Sequence, residues 1–312
     1  MKLAIPDLIS NSYFPAIAAV ELGFFKREGL DVSLEMIVPV ENALTAMREG
    51  SIHFIGCSAH LLVAGFPEWR GVKVLCAQSH GMYWFLVMRT GLGIGRGDLA
   101  ALKGCNIGAA HWVAMGLRRL LAEADVDVER AGIRIVPIPG AHAAGINFGV
   151  TAAKALEEGR VDGFWANGIG AELAVRRGIG TIVLDVRRGD GPKACFDYTW
   201  PVLAATDALI ARSPHAAAAA VRAIVNTQNA LKDNVQLAFE VGHKLFPSTE
   251  AALITDLIRQ DLPYYDAAIS PTMVYSMMQF SRDVGILQGH PSYHDVVAAS
   301  AVRSHEESWR GN

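Results

Sequence analysis

The 312-residue chain carries a formal net charge of −3, with 51% apolar and 19% charged residues. That composition supplies a large buried core, excludes a disordered chain, and at this length allows one large or two medium domains. Basic residues are scattered, as in Arg176-Arg177 and Arg187-Arg188, and form no stripe, so nucleic acid is not expected as a partner. No apolar stretch approaches the ~20 residues of a membrane span, and no transmembrane segment is expected. Cys57, Cys76, Cys105 and Cys195 form no C-x-x-C pair and read as buried free thiols, which favours a reducing compartment. Met1 leads directly into a short strand and Pro6-Asp7, without the apolar core of a secretory signal. The expectation is a cytoplasmic chain, or a periplasmic one whose leader has been removed.

Strand-like and helix-like segments alternate along the first two thirds, the signature of an α/β fold with parallel strands. Strands are predicted at 2–5, 32–36, 53–56, 72–76, 85–88, 105–109, 133–137, 161–165 and 181–184. Ser12 is placed to cap a first helix with Pro15 in its opening turn. Gly23 ends that helix in the left-handed conformation, and Phe24 and Phe25 fold back onto helix and sheet. Further helices are expected at 43–49, 115–124 and 152–158. The glycine-rich segment 91–97 fails the G-x-G-x-x-G spacing and reads as a mobile connection between two lobes. From Ser213-Pro214 onward the pattern is helical, at roughly 214–231, 235–245, 249–260 and 271–284.

The chain has no G-x-S-x-G elbow, P-loop or H-E-x-x-H motif. Asp125, Asp127 and Glu129 lack the glycine and terminal glutamate of a calcium loop. The histidines show no metal-ligand spacing, so no catalytic residue, metal or cofactor is expected. The strand ends are more informative, because open α/β sheets bind ligands at the carboxyl ends of strands and the amino ends of the following helices. Ser10, Asn11 and Tyr13 follow the first strand, Asn42 the second, Ser58 and His60 the third, and Gln78, His80 and Trp84 the fourth. His111 and Trp112, then the Pro139-Gly140-Ala141-His142 loop, and then Asn167 follow later ones. Any one of these reads as a core or capping residue. Together, aromatic rings and neutral hydrogen-bonding groups at strand ends describe a small-molecule pocket.

Four ordered segments carry a family resemblance: 18–32 (AAVELGFFKREGLDV), 46–54 (AMREGSIHF), 98–108 (DLAALKGCNIG) and 155–165 (ALEEGRVDGFW). They resemble segments of the periplasmic solute-binding proteins for alkanesulfonates, taurine, nitrate and thiamine-pyrimidine precursors, over the chain to about residue 205. The resemblance implies a two-lobed, type II periplasmic-binding fold, each lobe a mainly parallel sheet flanked by helices, with a helical C-terminal tail. It implies one lobe from 1–88 plus 195–312, a second from 89–194, and a ligand held in the cleft between them. Tyr198 and Trp200, just past the return crossing, join the candidate ligand-binding residues. An ABC permease and ATPase would then be the partners.

Anion-binding relatives use helix N-termini and often a basic residue, and the strand-end loops named above contain none apart from Arg89. The density of Trp and His favours a planar or aromatic ligand with one polar or anionic end. The rival expectation is a cytoplasmic enzyme or small-molecule sensor on the same fold, since fold alone does not decide function.

Overall fold

The computed structural model describes residues 1–8, 10–138, 140, 141 and 147–298. Strands in chain order are β1 (Lys2–Ile5), β2 (Ser33–Met36), β3 (Phe54–Ser58), β4 (Val72–Ala77) and β5 (Phe85–Arg89). They continue with β6 (Asn106–Ala109), β7 (Arg134–Val136), β8 (Gly163–Ala166), β9 (Gly180–Asp185) and β10 (Pro201–Thr206). The helices begin with α1 (Phe14–Glu21), α2 (Phe24–Arg27), α3 (Val40–Arg48), α4 (Leu62–Gly65) and α5 (His111–Glu123). Next come α6 (Phe148–Glu157), α7 (Gly168–Arg176), α8 (Asp207–Arg212) and α9 (Pro214–Asp233). The tail holds α10 (Gln236–Leu245), α11 (Ser248–Asp261), α12 (Pro271–Asp283) and α13 (Tyr293–Val296).

The chain divides into two compact units. Unit one takes Met1–Leu8, Tyr13–His80 and the chain from Thr199 on; unit two takes Gly81–Tyr198 and the short stretch through Ser12. Unit one holds a sheet of order β2-β1-β3-β10-β4, in which β1 pairs parallel with β2 and β3 while β10 runs antiparallel between β3 and β4. Unit two repeats the plan as β7-β6-β8-β5-β9, with β5 reversed between β8 and β9. Both sheets are therefore mixed, and each contains one strand against the common direction. The reversed β10 was not among the predicted strands. Its Pro-Val-Leu-Ala-Ala-Thr run is buried on both faces except at its last residue, so it lacks the period-two alternation that marks a half-exposed strand.

Local chemistry explains most boundaries. Gly23 adopts φ +75°, ends the first helical stretch, and Phe25 then stacks on Phe54 with ring centroids 6.4 Å apart. Phe24 is only half-buried, under the Arg27 guanidinium at 4.4 Å, so only one of the two rings is a core residue. Ser12 does not cap α1. The N-cap is Tyr13, and the Ala16 N–H that a cap would satisfy donates instead to Gln78 Oε1 at 3.1 Å. Helix α5 starts at His111, four residues earlier than predicted, because an Ala110 in extended conformation supplies the turn. Ser213 occupies the N-cap of α9 without a side-chain bond, and Pro214 opens the helix.

The glycine-rich 91–97 segment lies inside unit two and is tied down. Gly97 N–H donates to Val183 O at 2.8 Å, and Arg96 Nε bonds both carboxylate oxygens of Asp190 at 3.0 and 2.9 Å. It is a fastened loop of one unit, and not the connection between lobes that its composition predicted. The four cysteines are buried and free. Among the described residues no helix is long and apolar enough to cross a membrane.

Candidate functional site

In unit one the ends of β3 and β4 flank the start of β10, since Pro201 pairs with Ser58 and Val202 with Ala77. Three short stretches thus meet at the carboxyl edge of the sheet, and nearly every polar side chain there is buried: Ser58, His60, Gln78, Ser79 and Thr199. Gln78 is spent on the fold. Its Oε1 accepts from Ala16 and its Nε2 donates to Val202 O at 2.8 Å, so one amide ties β4 to α1 and β10. Gln228 on α9 repeats the device, its Nε2 reaching Ala77 O at 3.2 Å and Gln78 O at 2.9 Å. His60 sits in the turn after β3, with Nδ1 2.9 Å from Thr199 Oγ1 and its ring edge-on to Phe280 at 5.5 Å. Trp200 is fully buried, its carbonyl accepting from Ala59 N at 2.9 Å. Among the described residues its indole Nε1 has no hydrogen-bond partner.

Unit two builds its edge differently. Trp84 and Trp165 are both buried and meet edge to face at 6.0 Å. Trp165 Nε1 donates to Val113 O at 3.1 Å and so fixes the first turn of α5. Gly116 lets the same helix sit down on the pair: a Cβ there would lie 2.7 Å from Trp84 Cζ3. The result is a helix start carrying an exposed His111 and a half-exposed Trp112, whose rings meet at 5.4 Å. Trp84 is thus the bed of α5, and Trp112 is the indole at its surface. Asn167 is the N-cap of α7, accepting from Gly170 N at 3.4 Å, and Asn147 caps α6 through Val150 N at 2.8 Å.

The remaining predicted residues sit in separate local settings within their own units. Ser10 and Asn11 are buried, and Ser10 Oγ accepts from Ser12 N at 3.0 Å. Tyr13 is buried at the N-cap of α1, and Asn42 is exposed in the first turn of α3. His80 Nε2 is 2.8 Å from the Ala268 carbonyl, which turns it toward the loop before α12. Tyr198 donates its hydroxyl to Glu123 Oε2 at 3.3 Å, at the last residue of α5. Eleven residues of rise, roughly 16 Å, separate that contact from Trp112. Pro139 and His142 lie outside the described residues.

Thr199, Ser79 and Gln228 escaped the sequence reading, and so did the turn after β9. Asp185 at the end of β9 pairs with Phe85, which also pairs with Ala166 at the end of β8. The following Arg187 is buried at this carboxyl edge, with Nη2 donating to Gly81 O at 3.2 Å and the guanidinium 5.6 Å from the Tyr83 ring centre. The sequence signal was present as Arg187-Arg188, immediately after a predicted strand. Thiol chemistry has no support here: burial pushes the Cys195 thiol up to about 12 and raises Cys57 and Cys76 further. Among the described residues no group of His, Cys, Asp and Glu is arranged to hold a metal ion.

No curated protein matches the chain. Among solved structures it is similar to the periplasmic nitrate-binding protein NrtA from Synechocystis PCC 6803, at 14% identity over 98% of this chain and 88% of that one, with a TM-score of 0.75. The putative sulfonate-binding protein SsuA from Methylobacillus flagellatus KT gives 13% identity over 99% and 94%, with a TM-score of 0.71. A mutant of DSZB in complex with biphenyl-2-sulfinic acid gives 15% over 98% and 99%, with a TM-score of 0.67. At these identities the likeness shows the fold, that of type II periplasmic binding proteins. The model of the family described as NMT1/THI5 like matches residues 10–236, and the chain belongs to that family.

Proposed function

We propose that this chain is a solute-binding protein that captures a small organic molecule and delivers it, in the periplasm, to the permease and ATPase of an ABC-type importer. The observation that carries the reading is the concentration of buried polar side chains, Ser58, His60, Ser79 and Thr199 among them, at the carboxyl edge of unit one's sheet. Family membership and the likeness to nitrate- and sulfonate-binding proteins support a binding role. In this reading the two units are its two lobes, and each contributes ligand contacts from its own strand ends. The half-exposed Trp112 suits a planar or aromatic ligand, and His111 or Arg187 a polar or anionic end.

The test is a thermal-shift screen of small metabolites on the purified protein, followed by calorimetry. A true ligand at a hundredfold excess over its Kd stabilises by about 2.7 kcal/mol. The screen is expected to single out one chemical class, recovered unchanged after binding. The second reading, an enzyme on this fold, draws on the likeness to the desulfurization enzyme DSZB. Conversion of the bound compound during the assay would establish that reading and end the first.

A further inference from the structure

Trp200 sits where its main chain cannot yield. Its carbonyl accepts from Ala59 N on one side, and the next carbonyl, of Pro201, accepts from Gln78 N at 2.8 Å on the other. The residue is held between the ends of β3 and β4, and its side chain is fully buried. Its indole N–H nevertheless has no acceptor among the described residues. Buried indole nitrogens ordinarily find one, as that of Trp165 does on Val113 O, and among the described residues only those of Trp69 and Trp200 do not. A donor kept in this state lowers the stability of the empty protein, and it is conserved energy for any molecule that brings an acceptor to it.

The surroundings define the acceptor. Residues 54–66, 74–80 and 199–206, which form this corner of unit one, contain no Asp, Glu, Lys or Arg. The buried polar groups of these stretches are neutral hydroxyls, a primary amide already bonded at Ala16 and Val202, and an imidazole bonded to Thr199. An anion placed here would lose its hydration without gaining a fixed counter-charge, whereas a neutral acceptor loses little. We propose that the Trp200 indole N–H is a ligand donor, and that the group it takes is an uncharged acceptor, a carbonyl oxygen or ring nitrogen of a planar molecule. This rests on the capture reading and narrows it: the polar end held by unit one is neutral.

The test uses the full chain with its six tryptophans labelled at the indole nitrogen. Probes are benzamide, nicotinamide and 2-pyridone, each set against benzoate and benzenesulfonate. The expected result is that a neutral probe raises Tm and moves the Trp200 indole signal, assigned through its own backbone, downfield. Trp200→Phe keeps an aromatic six-membered ring and removes the donor. It is expected to weaken that probe about tenfold, the equivalent of one hydrogen bond. A neutral probe that binds without moving the Trp200 signal overturns the proposal. So does tighter binding of benzoate or benzenesulfonate than of the neutral set, in which case the capture reading survives. Failure of all five probes overturns it as well, and the broad metabolite screen then judges capture separately. If Trp200→Phe does not fold, the indole signal of the parent protein decides alone.

Discussion

The carboxyl edges of the two sheets solve one problem by opposite means. In unit one, buried polar side chains hold the strand ends in register: Gln78 joins β4 to α1 and β10, Gln228 grips the end of β4, and His60 bonds Thr199. In unit two, Gly116 and buried indoles seat α5, whose polar groups stay at the surface, and buried Arg187 adds a polar bond to Gly81 O. The difference teaches that a polar residue at a strand end is informative only once its partners are known. An amide already spent on two backbone groups has little left for a ligand, while the exposed His111 imidazole has no hydrogen bond among the described residues.

The largest effect is expected at Gln78. Replacing it with leucine, which matches it roughly in size, leaves the Ala16 N–H and the Val202 carbonyl buried without their partner. At roughly 1–3 kcal/mol for each unmet group, the loss should be about 3 kcal/mol, read as a fall in urea midpoint at unchanged m-value. The comparison breaks if Gln78→Leu is as stable as the parent yet no longer binds ligand, because the amide would then belong to the site and not to the frame.

How far the sequence carried follows from the same distinction. Apolar runs placed β1 to β9 within a few residues, and Gly23, Pro214 and Pro271 placed helix boundaries, because those signals are local, while α3, α5 and α6 start three or four residues before their predicted positions. The strand β10 was missed because a run of small apolar residues buried on both faces has no period, and its place between β3 and β4 depends on partners far away in sequence. At the site, the strand-end positions were readable, and the jobs of their side chains were not. Gln78 meets Ala16 across 62 positions and Val202 across 124, and no local pattern encodes either bond. Ser12 shows the converse: a good capping residue by type loses that role to a glutamine just past the end of β4. The Arg187 turn also escaped, because Arg187-Arg188 counts in the sequence reading only as scattered basic residues, although the pair directly follows a predicted strand.

The next effect sharpens the unit-two half. Gly116→Ala should gain about 1 kcal/mol of helix propensity, since glycine inside a helix is that much worse than alanine. Against this, the new Cβ meets Trp84 Cζ3 at 2.7 Å and Met82 Sδ at 3.3 Å, and Trp84 is already packed against Trp165. Overpacking of that kind costs about 1–3 kcal/mol, so the net outcome is a loss of about 1 kcal/mol with a change in tryptophan fluorescence. A net gain in stability would show that Trp84 is free to move and is no bed for the helix. Asn147→Ala and Asn167→Ala come next, at about 1 kcal/mol for the loss of a cap. Asn147 should cost more, because its bond to Val150 N is 2.8 Å whereas Asn167 reaches Gly170 N only at 3.4 Å. Equal losses of Tm would remove the distance argument.

The smallest effect on stability is expected at His111, and it carries the sharpest contrast. The side chain is exposed on the first residue of α5, where its replacement by alanine changes no described backbone bond. Surface changes of this kind stay within about 0.5 kcal/mol. His111→Ala should therefore leave the melting curve in place, whereas Gln78→Leu shifts it strongly. If His111 contacts the ligand that a screen identifies, the same substitution should weaken binding by several fold through the loss of one hydrogen bond, and titration calorimetry would read it directly. A pair of variants results in which one loses stability and the other loses affinity. Should His111→Ala lose stability while Gln78→Leu loses affinity, the roles assigned to these two side chains would be reversed, with the Gln78 amide holding the ligand and the His111 imidazole serving the fold.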